Sequence, residues 1–200
     1  MKKLQSTWYN MSVVLTLISV VAGAALAYVN DITAEPIRQI KEQQLQDGIK
    51  AVLSADKLQV QSVDTVDGAV IYNTDCGKAI QATDPNGFGG KLTVLVGFDA
   101  KGTIQGYRVL ESSETPGLGA KAADWFQKGA KGDIIGMSPA QNNMTVSKDG
   151  GEVDAITAST ITSRAFLRCV NAAYAAFAGA DAQSGASRQT KKNGNKEDKI

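Results

Sequence analysis

The stretch Val153-Asp154-Ala155-Ile156-Thr157-Ala158-Ser159-Thr160 decides how the rest of the chain is organised, because an apolar-periodic run follows it at once. Apolar residues recur after Thr160 at spacings of three and four, which predicts an amphipathic helix with one buried face. They are Phe166, Leu167, Val170, Ala173, Tyr174 and Phe177. The hydroxyl side chains of the stretch therefore fall at or near the first turn of that helix. Unpaired backbone N–H groups and the positive end of the helix dipole favour a phosphate at such a position.

Two interpretations of these hydroxyls are open. Ser or Thr at a helix start is typical of an N-cap, in which the hydroxyl accepts a hydrogen bond from the first turn. Alternatively, a Thr hydroxyl carries a covalently attached phosphate group. No carboxylate lies between Asp154 and the helix to repel a phosphate, and Arg164 lies one turn into the helix. Helix physics alone does not separate the two.

Composition excludes several kinds of chemistry. The chain has 200 residues, a formal net charge of +1 and no His. The length suggests one domain with accessory segments, and the charge gives no sign of a nucleic-acid partner. Without His, His-based catalytic triads, haem ligation by His and most zinc sites are excluded. Cys76 and Cys169 have no CxxC partner, so these two alone do not make a conventional iron–sulfur site, and no metal site is predicted within this chain. A disulfide between them and a metal shared with another subunit stay open, and a buried free thiol is the favoured interpretation of Cys169.

Residues 1–30 are predicted to form a cytoplasmic N-terminus and a transmembrane anchor. No charged residue occurs from Leu4 to Asn30, and this apolar run is long enough to cross a bilayer as a helix. Lys2 and Lys3 precede it, so the positive-inside rule keeps the N-terminus in the cytoplasm and places the rest outside. The alternative is a cleaved signal peptide, because Ala25-Leu26-Ala27 has the form of a cleavage site. Continuation of the helical pattern beyond this segment favours the anchor.

Two further segments flank the predicted domain. Residues 31–56 are expected to form a connecting amphipathic helix that follows a bend near Pro36 and docks on the domain. Its apolar positions are Ile37, Ile40, Leu45, Ile49 and Val52. Residues 181–200 are polar and almost without apolar side chains, so they are predicted to be a disordered tail.

The domain itself is expected over residues 57–180. Short alternating runs bounded by turn residues predict strands, with Asp67-Gly68 as a hairpin turn. The predicted strands are 58–63, 69–72, 78–82, 92–98 and 103–110, followed by a second hairpin of 144–148 with 151–154. A short helix is predicted over 120–128. The order of helix, strands, helix, strands and helix indicates an α+β fold with a twisted antiparallel sheet and flanking helices.

Two glycine-rich loops punctuate this domain. Gly87-Phe88-Gly89-Gly90 precedes the most apolar strand, and Glu114-Thr115-Pro116-Gly117-Leu118-Gly119 precedes the predicted short helix. Taken singly, each is most simply a tight turn that uses the conformational freedom of glycine.

Together, however, these loops and the Asp154-x-x-Thr157-x-x-Thr160 stretch resemble, in order and spacing, the FMN-binding family of two membrane electron-transport complexes. One is the Rnf complex, an ion-translocating ferredoxin:NAD oxidoreductase, whose G subunit belongs to this family. The other is the sodium-pumping NADH:quinone oxidoreductase, whose C subunit shares the domain but is usually longer. The compact length favours the Rnf type. The resemblance implies an N-terminal transmembrane helix followed by a small FMN-binding domain.

The resemblance also implies a cofactor and its site. In this family FMN is joined through its phosphate to the hydroxyl of the last Thr of the motif, here Thr160. The usual motif ends Ser/Thr-Gly-Ala-Thr, whereas this chain has Ala158 in place of Gly and Ser159 in place of Ala. No residue is expected to be catalytic by itself. The expected cofactor-binding residues are Thr160, Thr157, Ser159, Ala158, Asp154, Glu114, Thr115, Gly117, Leu118 and Gly119.

The function that follows is that of a non-autonomous redox subunit of an ion-translocating oxidoreductase, a translocase in the bacterial inner membrane. The flavin domain would face the outside of a single-pass anchor. The expected partners are other subunits of the Rnf complex, membrane lipid and a flavin transferase that attaches FMN. In a different class, a pilin-like structural subunit without a redox cofactor would also combine an apolar helix with a small sheet. No pilin-type processing site is present, and no Cys follows the apolar segment as a lipoprotein would require.

Overall fold

The computed structural model describes residues 8–55 and 58–193. The elements are α1 (Trp8–Val52), β1 (Val60–Val66), β2 (Ala69–Thr74), β3 (Lys78–Asp84), β4 (Leu92–Phe98), β5 (Ile104–Ser112), α2 (Ala122–Trp125) and α3 (Thr160–Asn193). Two 3₁₀ turns occur at Gly119–Lys121 and Ser147–Asp149. The strands form one antiparallel sheet in the order β1-β2-β3-β4-β5. The predicted α+β class is therefore confirmed.

The chain divides into two compact units, Met1–Gln44 and Leu45–Ile200. Within the described residues, α1 is the one helix long and apolar enough to cross a membrane. Its apolar side chains from Trp8 to Ile32 are exposed to the surroundings of the chain, as a lipid-facing segment requires.

The anchor and the connecting helix predicted on either side of a bend near Pro36 form one continuous helix, α1, which contains Pro36. A proline inside a helix removes one backbone hydrogen bond and commonly kinks or breaks the helix, but here the helical pattern continues through it. Ile37 and Ile40, expected to dock, are exposed, whereas Ile49 and Val52 are buried. Docking on the sheet thus involves the end of α1.

The core lies on both faces of the sheet. On one face, α3 packs against β2, β3 and β4 through Phe166, Val170, Ala173 and Phe177. On the other face, the end of α1 and the residue after it contribute a smaller cluster of Ile49, Val52, Leu53, Ala79 and Leu95. All seven residues of β4 are consequently buried, which explains its continuous rather than alternating apolar sequence.

Glycines allow the end of α1 to approach the sheet closely. A Cβ on Gly97 would clash with the carbonyl oxygen of Val52, and a Cβ on Gly106 would lie 3.0 Å from the same atom. The contact at Gly97 leaves no room for a side chain, and the contact at Gly106 is tighter than most Cβ contacts in proteins. The Gly97 and Gly106 positions therefore serve helix docking.

The first hairpin follows the prediction. Val66 pairs with Ala69 across Asp67-Gly68, and both turn residues have positive φ, 49° and 81°. This is the geometry of a two-residue hairpin turn whose twist matches that of the strands.

The predicted second hairpin is wrong. Residues 144–154 form no strand pair; a single parallel bridge joins Val146 to Val153. The chain between them closes through the 3₁₀ turn, where Asp149 N donates to Val146 O at 2.8 Å and Gly150 adopts φ 85°. Asp149-Gly150 therefore ends a 3₁₀ turn and does not reverse one strand onto another.

Two helices differ in length from the prediction. The helix expected over 120–128 shrinks to a 3₁₀ turn and α2, because Phe126 N donates to the Tyr107 hydroxyl at 3.1 Å and leaves the helical pattern. α3 continues as helix through 181–193, where a disordered tail was predicted. Helix propagation needs only local hydrogen bonds, and the Ala, Gln, Arg and Lys residues there are good helix formers. Residues 56 and 57 and the last part of the tail, 194–200, lie outside the described residues.

Candidate functional site

A cavity of about 290 Å³ lies beside the start of α3. Three segments far apart in sequence line it. The glycine-rich loop before β4 contributes Phe88, the loop after β5 contributes Thr115, Leu118 and Gly119, and the start of α3 contributes Ala158, Ser159, Thr160, Ile161 and Thr162. The fold thus brings together the three motifs that the sequence analysis singled out.

Short-range hydrogen bonds position the stretch before α3. Ser159 N donates to Ile156 O at 3.0 Å, which closes a turn, and Ile156 N donates to Ser163 Oγ at 2.9 Å. Ser163 in turn donates through both N and Oγ to Ser159 O, each at 3.0 Å. The turn is therefore tied to the first turn of the helix that it precedes. Within it, Ala158 has φ 63°, a left-handed conformation that is strained for residues other than glycine.

The hydroxyls at the helix start have no local role. Ser159 and Thr160 are half-buried, and neither side chain makes a hydrogen bond to any other described residue. An N-cap hydroxyl would accept a bond from an N–H of the first turn, and no such bond is present here among the described residues. Thr160 therefore presents a hydroxyl to the cavity at the positive end of a long helix.

Four of the predicted site residues do not line the cavity. Thr157 is exposed, and Gly117 is an exposed glycine with φ 78° in the loop after β5. The carboxylate of Asp154 is exposed and accepts a hydrogen bond from Ser147 Oγ at 2.9 Å, while its backbone carbonyl accepts one from Trp125 Nε1 at 2.9 Å. Asp154 thereby joins the motif to the Ser147–Asp149 turn and to α2.

The fourth, Glu114, is buried behind the cavity wall. The residue is 8% exposed, and its Oε2 accepts a hydrogen bond from Thr162 Oγ1 at 2.9 Å. Oε1 is buried and has no partner among the described residues. A Cβ on Gly119 would clash with Glu114 Oε2 and lie 2.7 Å from Thr162 Oγ1. Gly119 thus provides a place where the loop backbone comes close to the helix without a side chain between them.

Large apolar side chains surround the mouth of the cavity. Phe88, Leu118 and Ile161 are 68%, 42% and 48% exposed, respectively. Large apolar side chains that are exposed next to one another are typical of a ligand- or protein-binding site. Phe88, Ile161 and Thr162 were not among the predicted site residues. The aromatic in a glycine-rich loop was a signal for Phe88, whereas Ile161 and Thr162 carried no signal apart from following Thr160.

Arg164 does not line this cavity. It forms two hydrogen bonds with Asp149, Nε to Oδ2 and Nη2 to Oδ1, both at 2.7 Å. The hydrogen bonds from Arg164 hold the pKa of the Asp149 carboxyl below its usual range. Arg164, Arg168 and Asp149 instead line a smaller cavity of about 170 Å³, which shares no lining residue with the first.

A flavin nucleotide fits this arrangement of residues. A free hydroxyl lies at a helix N-terminus, where a phosphate is stabilised, and an apolar rim suits a ring system. In agreement, residues 87–175, which include all three lining segments, match the FMN-binding domain family. Residues 87–175 are thus defined as an FMN-binding domain.

Longer matches show the particular family. The chain is 30% identical over 190 residues to the G subunit of the ion-translocating oxidoreductase complex of Shewanella baltica, covering 84% of this chain and 89% of that protein. The chain belongs to the family of G subunits of ion-translocating oxidoreductase complexes. It is 43% identical over 105 residues to the protein of that name from Cronobacter sakazakii and 43% identical over 98 residues to that of Escherichia coli K12. Those two matches span about half the length of each relative, 50% and 47%, and the same shares of this chain.

Proposed function

We propose that this chain is a membrane-anchored electron-transfer subunit of an ion-translocating oxidoreductase of the Rnf type. It would carry FMN joined through its phosphate to the hydroxyl of Thr160. The observation that carries the proposal is the free, half-buried Thr160 hydroxyl at the start of α3, which faces a cavity with an apolar rim. Bound FMN supplies chemistry that this chain lacks, since its ring accepts and donates one or two electrons.

The residues of the site would have distinct roles. Thr160 anchors the phosphate, and the unpaired N–H groups of the first turn of α3 stabilise its charge. Ala158 and Ser159 shape the turn before the anchor. Thr115, Leu118 and Gly119 form the opposite wall. Phe88 and Ile161 cover the ring from water. Thr157, Asp154 and Gly117, which do not line the cavity, would act through the shape of their loops.

A covalent tether has a physical rationale on the outer face of a membrane. A flavin held only by non-covalent contacts would be lost by dilution outside the cell, whereas an ester keeps it at the site. α1 would anchor the chain, with the N-terminus in the cytoplasm because Lys2 and Lys3 precede the apolar segment. The names of the relatives refer to a complex, so the partners would be its other subunits and surrounding lipid. A flavin transferase would attach FMN.

The experiment is to produce the full chain in membranes together with a flavin transferase and to measure its intact mass. The protein band is then tested for flavin fluorescence after denaturing electrophoresis. We expect the wild type to gain the mass of one FMN and to fluoresce, and Thr160→Val to show neither. Ser159→Ala and Thr157→Val are matched controls that each remove a neighbouring hydroxyl, and both should remain loaded. A dark wild-type band, or fluorescence retained in Thr160→Val, would overturn the proposal.

A further inference from the structure

We propose that Glu114 and Thr162 form a buried clamp that positions the acceptor end of α3 against the loop after β5 and tunes the flavin potential. The name "Glu114 clamp" is used for these two side chains together with the glycines that enclose them, Gly87 and Gly119. Neither clamp side chain is the point of attachment. The inference rests on the proposed function for its effect on flavin, but its structural part concerns only this chain.

The hydrogen bond between the two side chains spans a large sequence separation. Thr162 is fully buried and lies two residues after Thr160, and its hydroxyl donates to Glu114 Oε2 at 2.9 Å. Glu114 N donates in turn to Ser112 Oγ at 3.2 Å, at the end of β5. The bond therefore connects the sheet to the first turn of α3 at the level of the acceptor.

The glycines show how closely the carboxyl group is enclosed. A Cβ on Gly119 would clash with Oε2, and a Cβ on Gly87 would lie 2.7 Å from Oε1. Gly87 and Gly119 belong to the two separate glycine-rich loops that border the cavity. Both loops therefore approach one side chain, although a Cβ on Gly87 would also meet the carbonyl oxygen of Gly90 at 2.5 Å.

If the Glu114–Thr162 pair only held the loop against the helix, a carboxyl group would not be needed. Burying a carboxyl group costs free energy that an apolar pair of the same shape would avoid. Glu114 nevertheless occupies this position, and its Oε1 has no partner among the described residues. A negative charge in a poorly solvated wall opposes the arrival of further negative charge nearby. The carboxylate would therefore hold the midpoint potential of the adjacent flavin low.

The experiment compares Glu114→Gln, Thr162→Val and Thr162→Ser in the full chain. Thr93→Val is the matched control, because Thr93 is also buried and its hydroxyl shares one hydrogen bond with Thr83, at 3.0 Å. Hydrogen exchange is measured on protein without flavin. The midpoint potential is measured on flavin-loaded protein.

We expect amide hydrogen exchange in residues 115–119 and 160–163 to be roughly tenfold faster in Thr162→Val than in the wild type, as the loss of one buried hydrogen bond predicts. Thr162→Ser should restore protection, and Thr93→Val should leave these two segments unchanged. Glu114→Gln should remain loaded with FMN at Thr160, and the midpoint potential of its flavin should be higher than in the wild type. The midpoint potential of Thr93→Val should be unchanged.

Two results would overturn the inference. One is exchange in Thr162→Val that matches Thr93→Val at both segments; the other is an unchanged potential in a loaded Glu114→Gln. If the wild type gains no FMN, the proposed function fails, and the exchange measurement still decides whether the clamp exists.

Discussion

The backbone N–H of Ile156 donates a hydrogen bond to Oγ of Ser163 at 2.9 Å, and both residues are at most 1% exposed. The loop that precedes α3 is thereby fastened to the helix from within. Ser163→Ala would leave this N–H buried without a partner, so we expect unfolding to become easier by about 1–3 kcal/mol. Chemical denaturation measures this, with Ser113→Ala as the control, because Ser113 is exposed and its hydroxyl makes no hydrogen bond to another described residue; it is expected to change stability by less than about 0.5 kcal/mol. Equal effects of the two substitutions would show that the Ile156–Ser163 bond adds nothing.

A substitution at Ala158 is expected to increase the stability of the protein. A φ of 63° strains a non-glycine residue by about 1–2 kcal/mol. Glycine removes this strain, but it also makes the unfolded chain more flexible, which lowers stability by about 0.4–1 kcal/mol. Ala158→Gly should therefore stabilise the protein by roughly 0.5–1 kcal/mol. In contrast, Ala123→Gly in α2 should destabilise it by a similar amount. Thermal unfolding of the two variants tests the contrast, and a loss of stability in both would contradict the left-handed conformation.

Asp84 should make stability depend on pH. Burial raises the pKa of its carboxyl, but hydrogen bonds from Arg168 and from Asn86 N outweigh burial, so the pKa lies below its usual range. A depressed folded-state pKa contributes stability above the unfolded value of about 3.9, and this is lost as pH falls through the folded value. Asp84→Asn should therefore be less stable than the wild type at pH 7, by roughly 1.5–3 kcal/mol.

The same variant should lose less stability than the wild type on acidification below pH 4. Denaturation at several pH values measures both effects. Asp47→Asn is the control, because Asp47 is exposed and makes no hydrogen bond or ion pair with another described residue, so its removal should change stability little at any pH. Parallel pH profiles of wild type and Asp84→Asn would rule out the role of Asp84.

The two cysteines should differ in reactivity. Cys169 is 1% exposed, and burial raises the pKa of its thiol to about 12, whereas Cys76 is exposed. Only the thiolate is reactive, so the folded protein should take up one equivalent of iodoacetamide at pH 8, and the unfolded protein two. Peptide mass mapping locates the label, with Cys76→Ser expected to abolish labelling of the folded state. Fast labelling of Cys169 in the folded state would show that the packing of α3 does not protect this thiol from solvent.

Local patterns predicted much of the fold. The bounds of β4, Leu92–Phe98, agree with the prediction, because an apolar run between a glycine-rich loop and a turn has little freedom. Thr160 begins α3 as expected, since hydroxyl residues before an apolar-periodic run mark a helix start. The buried, unpaired Cys169 is also as expected. In each case the determining residues are neighbours in sequence.

The errors arise where distant residues decide. The Tyr107 hydroxyl accepts a hydrogen bond from Phe126 N, so α2 is shorter than predicted. At Ser147–Asp149 a 3₁₀ turn is present where a hairpin was predicted. The bond of Glu114 with Thr162 joins residues 48 positions apart. No spacing rule indicates which threonine of the motif region turns inward, so Thr162 could be found only from the tertiary structure.

Each strand of the sheet pairs with the next one along the chain, and α3 comes after all of them. Chain growth during translation can therefore complete the sheet before the helix that bears Thr160 has been made. That helix supplies one wall of the cavity, so the Thr160 hydroxyl acquires its surroundings only in the last stage of assembly. Under the proposed attachment of FMN at Thr160, a maturation enzyme that requires the finished cavity would pass over immature chains, and attachment would then report correct folding.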